Sequence, residues 1–305
     1  MASAAAAEPI TIAGPAGPLE GELLAVPDAE AAVLIVPGSG PTDRDGNSPQ
    51  GLTTDTYKLL AEGLASEGIA SLRIDKRGFF GSEAATADPE DVTIAAYADD
   101  VRRWHDALAE RVGTDCVWIA GHSEGGLVAL AAAQEVEPCG LILLAAPGRP
   151  VGELLREQVR RYPANGPFLA EIDRIIDRLE AGETVDPATI SPELQALFRP
   201  GLQRFMIDLF SYDPADLAAR VDRPVLIVQG GADMQVTTDD ARLLAEAMPD
   251  AVLEILPEMT HTLKRDVPGQ PFATYADPSL PLDPDLVRIV ADFIGQPEGP
   301  PADLR

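Results

Sequence analysis

The chain has little cysteine and no long apolar run. It contains only two cysteines, which are too few for a disulfide framework and lack the spacing of metal ligands. Cys116 and Cys139 each precede an apolar run, and we expect two separate buried thiols, although neighbouring strands would also bring the sulfurs together. No apolar stretch approaches the roughly eighteen residues of a membrane-spanning helix. The sequence therefore predicts no integral membrane segment.

Basic residues are scarce as well. The 305 residues include 23 Lys and Arg against 50 Asp and Glu, which gives a formal net charge of -27. Such a surface repels nucleic acid phosphates and anionic lipids, so we expect no nucleic acid partner. The 46% hydrophobic content is enough to bury a large core.

The first nine residues lack the charged and long apolar regions of a secretory leader, although they are rich in alanine. Taken as it stands, the sequence predicts a cytoplasmic protein. A periplasmic or secreted protein whose leader has been removed is the alternative.

Short apolar runs alternate with longer amphipathic stretches, a pattern typical of β-α-β units. We therefore predict the α/β class, with a mostly parallel sheet flanked by helices. The predicted strands are 19–26, 31–36, 70–75, 116–120, 141–145, 224–229 and 251–256, with 10–13 as an edge strand. The predicted helices in the crossovers are 54–66, 94–111, 124–135, 238–248 and 283–294.

The alternation breaks in the middle of the chain, where several helix-like segments contain no convincing strand. We interpret residues 149–221 as a helical cap inserted into a core domain of residues 1–148 and 222–296. A separate small helical domain is the alternative, but the sheet needs the strands that follow. Residues 297–305 lack apolar periodicity and are predicted to be a frayed tail.

One serine lies in a tight turn between a strand and a helix. The strand-like run ending at Ala120 leads into Gly-His-Ser-Glu-Gly-Gly, and a stretch of high helical propensity follows. In this context, G-x-S-x-G exposes a nucleophilic hydroxyl, and glycines at 121 and 125 avoid crowding the strand and the helix. We predict Ser123 as the nucleophile of this elbow. The alternative is that the glycines only permit close packing.

A serine nucleophile needs a base, usually histidine, and the chain has only three histidines. His105 lies among charged residues of a predicted helix, which indicates a solvated face. His122 is held in the turn and should point away from its neighbour Ser123. His261 follows the last predicted strand, at the sheet edge where open α/β folds place their active sites. His261 is therefore the predicted base.

The order nucleophile, acid, histidine requires a carboxylate between the serine and the histidine, in a loop after a strand. Asp233 ends a Gly-Gly-Ala-Asp loop in that position. Asp239 and Asp240 compete for the role, but they begin the next helix, where acids commonly serve as caps. We predict Asp233 as the acid that holds the imidazole tautomer and stabilises the imidazolium.

An oxyanion hole requires two N–H donors. The amide of Glu124, directly after the nucleophile, is one predicted donor. The other should come from the Pro-Gly-Ser-Gly loop after the strand 31–36, and either Ser39 or Gly40 would supply it. An ordinary glycine turn is the alternative for this loop.

From about residue 19 to residue 294 the chain resembles the α/β-hydrolase superfamily, and it is most similar to the bacterial esterase and serine-aminopeptidase-like branch. The resemblance implies an α/β-hydrolase fold, a small-molecule ester substrate and hydrolysis without a metal or cofactor. Many relatives have His-Gly where this chain has Pro37-Gly38, which leaves the choice between Ser39 and Gly40 open. The matching segments are 37–47, 75–82, 121–126, 230–233 and 260–261.

The same framework also supports peptidase, amidase or acyltransferase chemistry, or a non-catalytic ligand receptor. We expect the cap to form the roof and the acyl pocket, although its apolar residues would equally serve as the cap's own core. Oligomeric state does not follow from the sequence. The candidate lining residues are Leu154, Phe168, Phe198, Phe205, Met206 and Phe210.

Overall fold

The computed structural model describes residues 6–296 and is organised around one central sheet. Its strands are β1 (Ala6–Ala13), β2 (Pro18–Ala25), β3 (Ala32–Val36), β4 (Ala70–Ile74), β5 (Val117–His122), β6 (Gly140–Leu144), β7 (Val225–Gly230) and β8 (Val252–Leu256). Their spatial order is β1-β2-β4-β3-β5-β6-β7-β8. Strands β3 to β8 are parallel, whereas β1 and β2 are antiparallel and form one edge.

Strands β3 to β7 are buried along their whole length. Successive side chains of a strand point to opposite faces of the sheet. Leu34 and Val36 accordingly join one hydrophobic cluster, while Val33 and Ile35 join a second. Apolar runs without alternation are what a sheet covered on both faces requires.

Helices cover both faces of this sheet. They are α1 (Thr56–Ser66), α2 (Ile94–Val112), α3 (Glu124–Ala132), α4 (Val151–Arg160), α5 (Leu169–Glu180), α6 (Pro200–Phe210), α7 (Pro214–Ala218), α8 (Thr238–Ala247), α9 (Ala273–Ala276) and α10 (Leu286–Gly295). Leu60 of α1 and Val290 of α10 pack in the cluster of Val33, whereas Trp104 of α2 and Leu127 of α3 pack in the other. The predicted α/β fold is confirmed. Within residues 6–296, no helix combines the length and the apolar character needed to cross a membrane.

Helices α4 to α7 lie between β6 and β7, and the described chain forms no strand there. Ile175, Ile176 and Phe198 are buried within this helical segment, which we define as residues 149–221. The prediction that this part of the chain is helical is confirmed. The division into a core domain and a cap stays a prediction, and the tail 297–305 lies outside the described residues.

The expectation of two separate thiols is wrong. Cys116 and Cys139 form a disulfide, with their Cα atoms 5.2 Å apart. The reason is the sheet order: β5 and β6 are parallel neighbours, and Trp118 pairs with Gly140 in their register. Each cysteine therefore lies just before the amino end of its strand, on the same side of the sheet.

Candidate active site

Ser123 occupies the turn between β5 and α3 with a positive φ of 54° and a ψ of -124°. Such a φ is rare for a residue other than glycine and is held here by close packing. A Cβ atom at Gly121 would lie 2.2 Å from the Gly125 carbonyl oxygen, and one at Gly125 would lie 2.4 Å from the Val36 carbonyl oxygen. The two glycines are therefore a steric requirement, as the sequence indicated.

Asp233 and His261 are brought together by the loops that follow β7 and β8. Asp233 Oδ2 lies 2.8 Å from His261 Nδ1, and both side chains are buried. Because an ionised carboxylate only accepts hydrogen bonds, Nδ1 carries the proton. In the neutral ring, Nε2 is then the nitrogen free to accept a proton.

Asp233 is surrounded by hydrogen-bond donors besides the imidazole. Gln229 Nε2 lies 3.2 Å from Oδ2, and the N–H groups of Gln235 and Val236 donate to Oδ1 at 2.7 and 3.0 Å. Burial alone would raise the pKa of Asp233, but the charge and hydrogen bond of His261 and the two backbone donors outweigh it and lower the pKa. The carboxylate is thus kept ionised and fixed in orientation.

The competing residues have other partners. Asp240 forms a capping box with Thr237 at the start of α8 and also pairs with Arg149. Asp239 is exposed and pairs with Arg242. His105 is only partly exposed, which corrects the expected solvated position, since its Nε2 is buried without a partner in the described chain. None of these side chains lies at the cleft that contains Ser123.

Ser123 and His261 line one cleft of about 520 Å³. Ser39 also lines it, whereas Gly40 does not. Threonine, glycine and aromatic residues dominate the remaining wall, and among the described lining residues there is no Asp, Glu, Lys or Arg. The full lining is Gly38, Ser39, Thr42, Gly46, Gly51, Leu52, Thr54, Thr56, Tyr57, His122, Ser123, Tyr162, Gln235, His261, Thr262, Phe272, Tyr275 and Ala276.

The six apolar residues expected to line the acyl pocket do not line this cleft. Phe198, Met206 and Phe210 are buried in the hydrophobic cluster of Leu34, and Phe168 and Phe205 pack against it. Leu154 is also buried. The helical segment needs these side chains for its own packing, which was the alternative interpretation. It contributes Tyr162 to the cleft.

His122, beside Ser123, is buried and connects the end of β5 with α1 and with the loop of His261. Its Nε2 lies 2.8 Å from the His261 carbonyl oxygen, and its Nδ1 lies 2.8 Å from Tyr57 Oη. A carbonyl can only accept, so Nε2 carries the proton of the neutral ring and Tyr57 donates to Nδ1. Tyr57 Oη in turn accepts from the N–H of Gly38 at 2.9 Å. The hydrogen bonds therefore run in one direction between the loops of Gly38 and His261.

Burial keeps this ring neutral. Loss of solvation is the main cause that lowers the pKa of His122 to about 3, and the neighbouring His261 lowers it further. The sequence predicted that His122 would point away from Ser123, but nothing in it indicated the partner Tyr57. Tyr57 lies in the first turn of α1, and only the fold brings it to the cleft.

Two backbone donors lie beside the candidate nucleophile. Within residues 6–296, neither the N–H of Ser39 nor that of Glu124 has a hydrogen-bond partner. Glu124 is the first residue of α3, where N–H groups have no acceptor inside the helix. Both groups therefore lack an internal acceptor, and of the two residues Ser39 lines the cleft whereas Glu124 does not.

No metal site is evident in the part of the chain that the structure describes. Among those residues, no three His, Cys, Asp or Glu side chains converge so that they could hold a metal ion. The prediction of metal-free and cofactor-free chemistry stays a prediction.

Replacing Tyr57 by Phe should destabilise the protein. The change leaves the buried Gly38 N–H and His122 Nδ1 without their shared partner, which typically costs about 1–3 kcal/mol. Urea unfolding at pH 7 measures the loss. Tyr162→Phe is the control, because that side chain is half exposed, and it should change stability by less than about 0.5 kcal/mol. Equal losses in the two variants would contradict the hydrogen-bond network.

Stability should fall as the pH drops below the ordinary pKa of histidine. His122 has a lowered pKa in the folded state, so the unfolded chain takes up its proton first, and the stabilisation present above pH 6.5 is lost towards pH 3. Between pH 7 and pH 5 the loss from this residue is about 2 kcal/mol. The comparison is with His122→Gln, which keeps the same carboxyl groups. The difference in the free energy of unfolding between the two proteins, followed from pH 7 to pH 5, therefore reports the titration of His122. Identical pH slopes would refute the assignment.

The alpha/beta hydrolase family model matches residues 33–300 of this chain. Esterase EstD of Thermotoga maritima is 31% identical over 214 residues, which cover 70% of this chain and 48% of that protein. The match thus spans about half the length of this curated relative.

Solved structures share the fold at low sequence identity. Est1E from Butyrivibrio proteoclasticus with bound ferulic acid has a TM-score of 0.59 and 20% identity, covering 93% of this chain and 96% of its own. The α/β hydrolase GrgF from Penicillium sp. sh18 has a TM-score of 0.62 and 18% identity, covering 95% and 98%. The family model covers most of the chain, and the parallel sheet and the turn at Ser123 agree with it, so the chain belongs to the alpha/beta hydrolase family.

Proposed function

We propose that this protein is a serine hydrolase that cleaves carboxylic esters of small molecules, with Ser123 as nucleophile, His261 as base and Asp233 as acid. The observation that carries the proposal is the buried Asp233–His261 pair, whose histidine lines the same cleft as the strained Ser123 turn. Such an arrangement of nucleophile, base and orienting carboxylate is suited to acyl transfer. The similarity to an esterase supports the choice of esters.

In the proposed reaction, Ser123 Oγ attacks the ester carbonyl carbon while its proton passes to His261 Nε2. The tetrahedral intermediate collapses when the C–O bond to the alcohol breaks, and the alcohol oxygen takes the proton from Nε2. Water then repeats the sequence on the acyl-enzyme, releasing the acid and restoring the serine. Asp233 stays ionised throughout and stabilises the imidazolium, in line with its lowered pKa.

The oxyanion of the intermediate would be bound by the N–H groups of Ser39 and Glu124. We prefer Ser39 to Gly40 because Ser39 lines the cleft and Gly40 does not. Both proposed donors lack a partner within the described chain, so no internal hydrogen bond has to break first. Preorganised donors of this kind stabilise developing charge at little reorganisation cost.

The cleft favours esters over peptides with a free amine. A carboxylate in the wall would attract a substrate ammonium by charge, and among the described lining residues there is none. The walls come mainly from residues 38–57 and 272–276, with Tyr162 added by the helical segment. We propose that this segment, as a cap on a core of residues 1–148 and 222–296, closes one side of the cleft.

Replacing Ser123 by Ala should abolish ester hydrolysis and covalent labelling without unfolding the protein. The hydroxyl is the atom that forms the acyl-enzyme, so turnover of p-nitrophenyl acetate should fall by at least about 1000-fold. The assay pairs this turnover with labelling by a fluorophosphonate probe. Ser66→Ala is the control, because Ser66 is exposed on α1. Retained turnover would refute the mechanism, whereas an unlabelled wild type would favour a non-catalytic ligand receptor.

Replacing Asp233 by Asn should lower kcat by about 10⁴-fold while the fold is kept. The amide no longer fixes the proton on His261 Nδ1, so the tautomer with a free Nε2 loses its advantage. Asp239→Asn is the matched control, since this competing aspartate is exposed and, within residues 6–296, pairs only with Arg242. Steady-state kinetics of both variants decides the assignment. A larger loss in Asp239→Asn than in Asp233→Asn would reverse it.

A further inference from the structure

The backbone of Gly38, directly before Ser39, is held by buried side chains on both of its polar groups. Tyr57 Oη accepts from its N–H at 2.9 Å. Lys76 Nζ donates to its carbonyl oxygen at 2.7 Å and also to Glu124 Oε1 at 3.1 Å. Lys76 is only 4% exposed and Glu124 only 6%. The lysine of this buried ion pair thus also binds the backbone directly before Ser39.

The bond from Lys76 decides where the N–H of Ser39 points. A trans peptide is planar, so the carbonyl of Gly38 and the N–H of Ser39 lie in one plane and point in opposite directions. The described backbone has no cis peptide bond. With the carbonyl directed at the lysine, the next N–H is directed away from it.

Gly38 also lies against the candidate nucleophile. A Cβ atom placed on Gly38 would be 3.3 Å from Ser123 Cβ, an unusually tight contact. Both residues line the cleft, as does Ser39. The peptide that Lys76 orients is therefore beside the hydroxyl proposed to attack the substrate.

We propose that Lys76 is a positioning residue of the oxyanion hole, which turns the Gly38–Ser39 peptide so that Ser39 donates its N–H to the substrate oxygen. This inference rests on the proposed function and adds a role for the Glu124 side chain. Glu124 offers its N–H as the second donor, while its carboxylate fixes Lys76. One ion pair thereby links both donors.

A peptide flip is the event that this ion pair prevents. Glycine imposes little steric barrier to rotation of the adjacent peptide plane. After a flip, the Gly38 carbonyl oxygen would replace the Ser39 N–H and repel the developing oxyanion. The Glu124 carboxylate neutralises the lysine, so the main contribution of Lys76 is the direction of the donor rather than net charge.

Replacing Lys76 by Met tests this role, because methionine is an unbranched side chain only one heavy atom shorter than lysine and cannot donate. We expect kcat for p-nitrophenyl acetate to fall about 10- to 100-fold with KM nearly unchanged, since loss of a complete donor typically costs 10²–10³. Phenylboronic acid, which forms a tetrahedral adduct on a serine, should bind more weakly by a similar factor. Lys76→Arg retains a donor and should recover part of both losses.

The control is Arg77→Met, which removes a neighbouring cation that bonds Asp100 rather than Gly38. It should keep kcat and boronate affinity within about threefold of wild type.

If Lys76→Met does not fold, the double variant Lys76→Met/Glu124→Met leaves no unpaired charge and should show the same losses.

Three results would overturn the role of Lys76. They are unchanged kcat and boronate affinity in Lys76→Met, equal losses in Arg77→Met, and a change confined to KM. Each of them is compatible with an active Ser123 that reacts with the fluorophosphonate probe. An unlabelled wild-type serine would instead overturn the proposed function itself, so the two failures are distinguishable.

Discussion

The close approach of α3 to the end of β3 is the constraint on which this site depends. No side chain fits at Gly125, where a Cβ atom would meet the Val36 carbonyl oxygen at 2.4 Å. The chain turns there with Ser123 at a positive φ, so this serine lines the cleft at the carboxyl ends of the strands. The first N–H of α3 and the loop after β3 reach the same edge. A steric fit between two backbones thus brings the proposed nucleophile and the two proposed oxyanion donors together.

Buried hydrogen bonds hold the loops that carry these groups in fixed relative positions. The bonds from Gly38 through Tyr57 and His122 to the carbonyl of His261 have a fixed direction, because the carbonyl can only accept and the His122 ring is neutral. The loop of the proposed oxyanion donor and the loop of the proposed base are therefore not independent. Polar networks that are fully satisfied in a buried site rigidify it. Rigid donors need little reorganisation as charge develops on a substrate.

The sequence predicted the parts of the molecule that have local signals. Uniformly apolar runs marked the buried strands, and Ser123 and Asp233 were predicted as site residues because each follows such a strand in a short glycine-containing loop. The partners of Gly38 had no comparable signal, since Tyr57 and Lys76 lie 19 and 38 residues away in the chain. The bond between His122 and His261 spans 139 residues. Only the sheet order and the crossovers determine which of these residues meet.

The cleft wall was mispredicted for a different physical reason. An apolar residue on an amphipathic helix has the same periodicity whether it faces a ligand or another helix, so Phe198 and Phe210 could not be distinguished from pocket residues before their packing was known. The wall is instead built largely by residues 38–57, which run from the proposed oxyanion loop to the first turn of α1. The two ends of this segment are joined by the bond between Gly38 and Tyr57, and Tyr57 also binds His122, the neighbour of the proposed nucleophile. The shape of the cleft is therefore coupled to the proposed oxyanion hole, and a change that moves either end of the segment alters both.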